Sequence, residues 1–272
     1  MIDMKQTQTG MAQINGANLY YETAGEGPSL ILVHAGFVDS RMWDEQFSVF
    51  AQQYRVLRYD MRGFGKSKLV PGSFSHRSDL HQLLKFLSME QAHLLGCSMG
   101  GGAIIDFALE HPEMTQSLVL VSAAIGGYQP QGDMPKPLQE LLAALKEKDM
   151  ERAADIAVRI WIDGPRRKPE QVDARIRARA HEMSLTALPN IFVKEEPLEP
   201  AALERLQKLS APTLVMVGEL DDDSIKTIGE LLATRIPGAQ KASIAGAAHL
   251  PNMEKPDEFN QKVLAFLQRV AA

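Results

Sequence analysis

Leu94-Leu95-Gly96-Cys97-Ser98-Met99-Gly100-Gly101-Gly102 sets a serine between glycines, where a strand-like run meets a helix-like one. The apolar residues 93–95 lead in as a short buried strand, and residues 103–109 lead out as a helix. Between them the chain must turn so sharply that the serine takes a strained backbone conformation. Gly96 and Gly100 lack the Cβ atoms that would clash in such a turn. The expected result is a hydroxyl lifted clear of the sheet edge, within reach of a histidine and a substrate. A glycine-rich strand-to-helix turn also suits a nucleotide, but the dinucleotide fingerprint Gly-x-Gly-x-x-Gly needs a glycine where Ser98 stands.

Upstream, Ile14-Asn15-Gly16-Ala17 places Asn-Gly between two strand-like runs, the signature of a hairpin. Residues 29–33 form a continuous apolar run, as in a strand buried on both faces. A helix is expected over 42–52 and a strand over 54–59. Leu80, Leu83, Leu84 and Leu87 recur at i, i+3, i+4 and i+7, the pattern of an amphipathic helix. A further strand is expected over 118–121. Strict alternation of strand and helix implies an α/β fold: a mostly parallel sheet with helices on both faces.

The alternation stops after Ser122. Residues 125–210 hold no convincing strand; they carry charge-rich helical stretches (138–148, 170–183) broken by prolines. The rhythm resumes with a strand over 213–217, a helix over 224–236, a strand over 241–244 and a terminal helix over 256–270. The expected organisation is a core made of 1–124 and 211–272, with a helical insertion and return linker at 125–210 placed before the last two strands. Arg175, Arg177 and Arg179 alternate on the insertion; a solvated face is the plain explanation and carboxylate binding the sharper one.

The 272 residues suffice for a sizeable core, and a net charge of −5 gives no reason to expect nucleic acid or an anionic membrane as partner. The single cysteine, Cys97, excludes an intramolecular disulfide and a cysteine-based metal cluster. The polar first ten residues lack the apolar core of a signal peptide, and no apolar run is long enough to span a bilayer. A cytoplasmic location is expected.

A serine hydroxyl needs a base to take its proton and an acid to orient that base. Seven histidines are available. His93 lies in a strand, His111 at a helix end, and His76, His81 and His181 read as surface positions. His249 differs: Ala245-Gly246-Ala247-Ala248-His249-Leu250-Pro251 is a small-residue loop just past the last strand. The acid should follow the preceding strand, where Gly218-Glu219-Leu220-Asp221-Asp222-Asp223 stands. Asp221 is the first choice; Asp222 and Asp223 suit the capping of the next helix. An oxyanion also needs two N–H donors. Met99, after the nucleophile, supplies one; His34-Ala35-Gly36-Phe37 supplies the other, with Gly36 the first choice and Phe37 the alternate. His34 reads as holding this loop rather than as a chemical group.

With these motifs, Asp60-Met61-Arg62-Gly63-Phe64-Gly65-Lys66-Ser67 and Arg41-Met42-Trp43-Asp44, the chain resembles the α/β-hydrolase superfamily of esterases, lactonases, C–C bond hydrolases and cofactor-free haloperoxidases over nearly its whole length. The order Ser98, Asp221, His249 is that family's nucleophile–acid–base order. One departure is Ala35, where relatives usually have glycine. The resemblance implies that residues 125–200 form a lid over the site. Phe37, Trp161 and Phe192 are candidates for the substrate-binding wall. Neither cofactor nor metal is expected.

The expected activity is cleavage of a small ester, lactone or related carbonyl compound through an acyl-enzyme. C–C bond hydrolysis or perhydrolysis on the same triad, and a ligand receptor of the same fold with little turnover, are the alternatives. Gly65-Lys66-Ser67 is not a phosphate loop, because Asp60 occupies the position of its first glycine. No His-Glu-x-x-His spacing supports a metallohydrolase. Ser98 argues against the relatives that use an aspartate nucleophile.

Overall fold

The computed structural model describes residues 7–130 and 132–271. Residues 1–6, and with them most of the polar N-terminal stretch noted above, lie outside the described part. The strands are β1 (Gln8–Ile14), β2 (Ala17–Ala24), β3 (Ser29–Val33), β4 (Arg55–Tyr59), β5 (Ala92–Cys97), β6 (Thr115–Val121), β7 (Thr213–Gly218) and β8 (Gln240–Ile244). They form one sheet in the order β1-β2-β4-β3-β5-β6-β7-β8. β1–β2 and β2–β4 pair antiparallel, and every other pair is parallel. Asn15 and Gly16 join β1 to β2 with φ of 47° and 78°, the positive values a tight two-residue hairpin turn requires.

Strand periodicity sorts the core into two layers. Leu30 and Leu32 of β3 join Val119 and Val121 of β6 on one face; Ile31 and Val33 join Leu118 and Leu120 on the other. The sheet domain's helices are α1 (Asp44–Phe50), α2 (His76–Phe86), α3 (Met99–Glu110), α7 (Asp223–Arg235), α8 (Pro251–Glu254) and α9 (Pro256–Ala271). Phe47 and Phe50 of α1 and Phe259 and Phe266 of α9 cover the first face. Leu80 and Leu84 of α2, Ile104 and Phe107 of α3 and Leu232 of α7 cover the second. The helix expected over 42–52 divides into a 3₁₀ turn, Ser40–Trp43, and α1. Asp39 causes the early start by accepting the Arg41 N–H at 3.0 Å.

Between β6 and β7 lie α4 (Lys136–Glu147), α5 (Met150–Val158), a π-helical turn (Arg159–Asp163) and α6 (Ala174–Ala187). Among the described residues this connection holds no strand. α5 offers its neighbours Ala153, Ala154 and Ala157, small enough for close helix packing, and no leucine repeat marks it in the sequence. The insertion is tied to the sheet domain by polar contacts. Ser184 Oγ donates to the Phe37 carbonyl at 3.0 Å, Asn190 Nδ2 to that of Gly63 at 2.7 Å, and Arg179 pairs with Asp44 at 2.7 Å. Among the described residues no helix is long and apolar enough to cross a membrane.

The Asp60–Ser67 loop is a structural knot. Asp60 Oδ1 accepts from the Ser40 N–H at 3.0 Å and Oδ2 from the Lys66 N–H at 2.8 Å, while Ser67 Oγ donates to the Asp60 carbonyl at 2.7 Å. The Lys66 amide that a phosphate would use is therefore already taken.

His76 corrects the sequence expectation of a surface position: it is buried, its ring 6.2 Å from that of Phe64 and 5.3 Å from that of Phe74. Its place at the start of α2 gives no hint of this, because both aromatic partners come from the preceding loop. Burial lowers its pKa from 6.5 to about 4, against a smaller opposing pull from Asp79; His34 and Arg62 add to the lowering. The unfolded chain then binds a proton between pH 6.5 and 4 that the folded chain refuses, so stability is lost as pH falls through that window. The shift corresponds to roughly 3 kcal/mol. Urea titrations at pH 7 and pH 4.5 should show a larger loss for the wild type than for His76→Asn; equal losses would contradict this account.

Candidate active site

Ser98 links β5 to α3 with φ 52° and ψ −116°, in the left-handed half of the map that costs a non-glycine residue about 1–3 kcal/mol. The surroundings hold it there. Its N–H donates to the Val121 carbonyl at 2.9 Å, and its carbonyl accepts from the N–H groups of Gly102 at 3.0 Å and Ala124 at 2.9 Å. A Cβ on Gly96 would fall 2.5 Å from the Gly100 oxygen, and one on Gly100 would fall 2.5 Å from the carbonyl oxygens of Val33 and His34. Only hydrogen side chains permit α3 to start so close to β3 and β5. Ser98 is half-buried, and its hydroxyl makes no hydrogen bond to another described residue.

Helix α3 begins at Met99, so the Met99 N–H is one of the first-turn donors that have no partner within the helix, at the positive end of its dipole. The loop after β3 comes against it: the position a Cβ would take on Gly36 lies 3.1 Å from Met99 Sδ. His34 fixes this loop. Its Nδ1 donates to the Ala35 carbonyl at 2.8 Å while Nε2 accepts from the Met61 N–H at 2.9 Å, which assigns one neutral tautomer. Burial lowers its pKa, against the pull of Asp60. Ala35 is accommodated here in place of glycine: it is fully buried, its N–H faces Met42 Sδ at 3.3 Å, and its carbonyl accepts from the Val38 N–H at 3.3 Å.

Asp221 follows β7 after a turn in which its N–H donates to the Gly218 carbonyl at 3.2 Å. Its carboxylate lies 3.0 Å (Oδ2) and 3.2 Å (Oδ1) from His249 Nδ1. Oδ2 also accepts from Ser122 Oγ at 2.8 Å, and Oδ1 from the Asp222 N–H at 2.8 Å. Burial alone would raise its pKa; the charge and hydrogen bond of His249, with the Ser122 and Asp222 donors, outweigh this and hold it below the usual carboxylate range. Asp222 caps α7, accepting from the Ser224 N–H at 2.8 Å, and exposed Asp223 pairs with Arg166 and Lys226, each at 2.6 Å.

The His249 N–H donates to the Trp161 carbonyl at 3.2 Å, and its own carbonyl faces the thiol of Cys97, next to the serine, at 3.8 Å. The bond to Asp221 places the imidazole proton on Nδ1. Nε2 is buried and has no hydrogen-bond partner among the described residues. Its lone pair is thus free to take a proton.

Phe37 and Trp161 come together over this histidine. Their rings stack at 4.4 Å, and Phe37 lies 6.3 Å from the His249 ring. Phe192 is not in that group. It is 54% exposed and lines a cavity of about 550 Å³ with Leu145, Met150, Leu188 and Val193, whose walls include none of the residues above. Of the three alternating arginines, Arg177 pairs with buried Asp163 at 2.7 Å, Arg175 with Asp173 at 2.8 Å and Arg179 with Asp44. They bind carboxylates, all of them this chain's own. Among the described residues no group of three or more His, Cys, Asp or Glu stands close enough to hold a metal ion.

Sequence reasoning missed Ser122, Arg166, Arg167 and Glu254. Ser122 carried a usable signal: it is the polar residue ending an apolar strand on the edge where the acid loop also begins. The other three act across separations of 55 to 87 residues, which no local pattern displays.

The model of the alpha/beta hydrolase family matches residues 30–262. Carboxylesterase YbfK of Bacillus subtilis (strain 168) is 29% identical over 257 residues, 89% of this chain and 81% of its own. The 2-hydroxy-6-oxononadienedioate/2-hydroxy-6-oxononatrienedioate hydrolase of Burkholderia vietnamiensis (strain G4 / LMG 22486) is 30% identical over 270 residues, 92% of this chain and 91% of its own. Among solved structures, the enol-lactonase from Burkholderia xenovorans LB400 superposes with a TM-score of 0.82 at 25% identity, over 95% of this chain and 100% of that one. The family match runs from β3 into α9, through the serine elbow, the insertion, the acid loop and the histidine loop, and the chain belongs to the alpha/beta hydrolase family.

Proposed function

We propose that this hydrolase cleaves an uncharged ester or lactone by a serine mechanism. The observation that carries the reading is the His249–Asp221 pair, with Nε2 unengaged, at the sheet edge where Ser98 sits on its strained turn. His249 Nε2 takes the Ser98 proton as Oγ attacks the carbonyl carbon. The oxyanion is held by the N–H groups of Met99 and Gly36. The imidazolium returns its proton to the leaving alkoxide, giving an acyl-serine. Water then repeats the sequence, its proton passing through His249 back to Ser98. No step calls for a cofactor.

A neutral substrate fits because arginines of the insertion and of the loop after β3 are already engaged. Arg41 pairs with Asp39, Arg166 with Asp223, Arg167 with Glu254 and Arg177 with Asp163. None of these four is open to a dianionic substrate unless its pair breaks. The wall beside His249 is apolar, formed by the stacked rings of Phe37 and Trp161.

In this reading residues 125–200 are the lid, and the stacked rings of Phe37 and Trp161 meet the acyl group. Phe192→Ser, in a cavity that shares no residue with that wall, should leave kcat/KM for p-nitrophenyl acetate and p-nitrophenyl octanoate within about twofold of the wild type. A loss confined to the octanoate would put Phe192 on the substrate path. The function itself is tested by hydrolysis of a panel of esters, lactones and β-diketones; binding without turnover of any of them would favour a receptor.

A further inference from the structure

We propose that Arg166 and Arg167 are positioning residues that hold the acid loop and the histidine loop in register from the insertion side. The inference rests on the serine-hydrolase reading above and extends it to residues outside the triad. The two arginines are neighbours in the turn between the π-helical turn and α6, and their guanidinium groups go to different loops. Arg166 Nη1 donates to the Asp221 carbonyl at 2.9 Å, and Nη2 pairs with Asp223 at 2.6 Å. Arg167 Nη1 donates to the Gly246 carbonyl at 3.1 Å and pairs with Glu254 Oε2 at 2.5 Å. The other oxygen of Glu254 accepts from the Ala248 N–H at 2.7 Å, immediately before His249.

The π-helical turn completes the bracket. Widening a helix from i→i+4 to i→i+5 bonding alters which carbonyls find intrahelical partners. Here the Trp161 carbonyl takes the His249 N–H at 3.2 Å, and the Ile162 and Asp163 carbonyls take Arg167 Nη2 at 2.6 Å and Nε at 2.9 Å. Asp163 is in turn held by Arg177 of α6 at 2.7 Å. An unbroken chain of bonds therefore runs from α6 through Asp163, Arg167 and Glu254 to the backbone beside His249, with a second branch through Arg166 to the backbone of Asp221. Gly164 lies within the same bracket, where a Cβ would fall 2.9 Å from the Leu220 carbonyl and 3.1 Å from Ala248 Cβ. The Arg167–Glu254 pair is desolvated, with side chains 10% and 5% exposed, so removing one partner strands a buried charge. The Arg166 pair reaches solvent. Displacing a catalytic loop by about 1 Å can cost on the order of 10²-fold in rate without touching substrate.

The test uses the full-length enzyme and p-nitrophenyl acetate. Arg166→Ala should lower kcat about tenfold and Arg167→Ala about 10²-fold, each with KM within twofold. The far-downfield proton resonance of the His249–Asp221 hydrogen bond should weaken in both variants. Millimolar guanidinium chloride should restore part of the Arg167→Ala rate by refilling the vacated site, and Arg167→Lys should not match the wild type, since one ammonium cannot span four oxygen acceptors. If Arg167→Ala does not fold, Arg166→Ala decides. Folded variants with wild-type kcat and an undiminished resonance would overturn the proposal, even with a lowered Tm. A wild-type protein that neither hydrolyses the ester nor reacts with a fluorophosphonate at Ser98 would remove the serine reading and this proposal together, a result distinct from the first.

Discussion

Ser98→Ala is expected to lower esterase kcat by about 10³-fold or more while the protein keeps its fold. The hydroxyl makes no hydrogen bond to a described residue, so its loss leaves no buried group unsatisfied. The elbow is held by backbone bonds to Val121, Gly102 and Ala124 and by the close approach of Gly96 and Gly100, none of which involves the Ser98 side chain. Alanine tolerates the φ of 52° about as poorly as serine does, so the Tm should change little. Circular dichroism and thermal denaturation check the fold, and initial rates check the chemistry. A folded variant with wild-type turnover would end the serine mechanism.

Asp221→Asn is expected to cost on the order of 10⁴-fold in kcat, an effect set by the tautomer rather than by charge alone. The carboxylate accepts the Nδ1 proton of His249 and keeps Nε2 free as a base. An asparagine amide can turn its NH₂ toward Nδ1, which moves the proton to Nε2 and removes the lone pair that Ser98 needs. With the NH₂ in the place of Oδ2, the amide oxygen keeps the Asp222 N–H and the Ser122 hydroxyl can turn to accept from the NH₂, so the loop should hold. The two neighbouring aspartates are the controls. Asp222→Asn keeps a good helix cap. Asp223→Asn loses only exposed ion pairs and leaves the bond from Arg166 to the Asp221 carbonyl. Both should stay within about tenfold of the wild type. A crippled Asp222→Asn beside an active Asp221→Asn would shift the acid by one residue.

The parts of this molecule written in local pattern were legible before any coordinates. The apolar run of β3, the Asn-Gly hairpin and the strand–glycine–serine–helix elbow each depend on residues within a few positions of one another. Asp221 and His249 lie 28 residues apart, yet both were accessible because each sits just past a recognisable strand and the sheet brings strand ends together. His76 was misread because helix periodicity says nothing of Phe64 and Phe74, which close over it from a loop. Trp161 stacks on Phe37, while Phe192 faces another cavity. Both are aromatics in an irregular connection, and what separates them is which way the π-helical turn and the 188–193 segment direct them. The arginine bracket was the least visible feature. Pro165-Arg166-Arg167-Lys168-Pro169 is a run of positive charge in which nothing local points to Asp221, Gly246 or Glu254.

The central claim, that Ser98 is the nucleophile of an acyl-transfer site, is tested most directly by covalent trapping. The wild-type protein would be treated with a fluorophosphonate, and the adduct counted by intact mass and located by peptide mapping. One adduct per chain is expected, on Ser98, with esterase activity lost in proportion to labelling and no adduct in Ser98→Ala. Full labelling of another residue, or esterase activity that survives complete modification of Ser98, would contradict it.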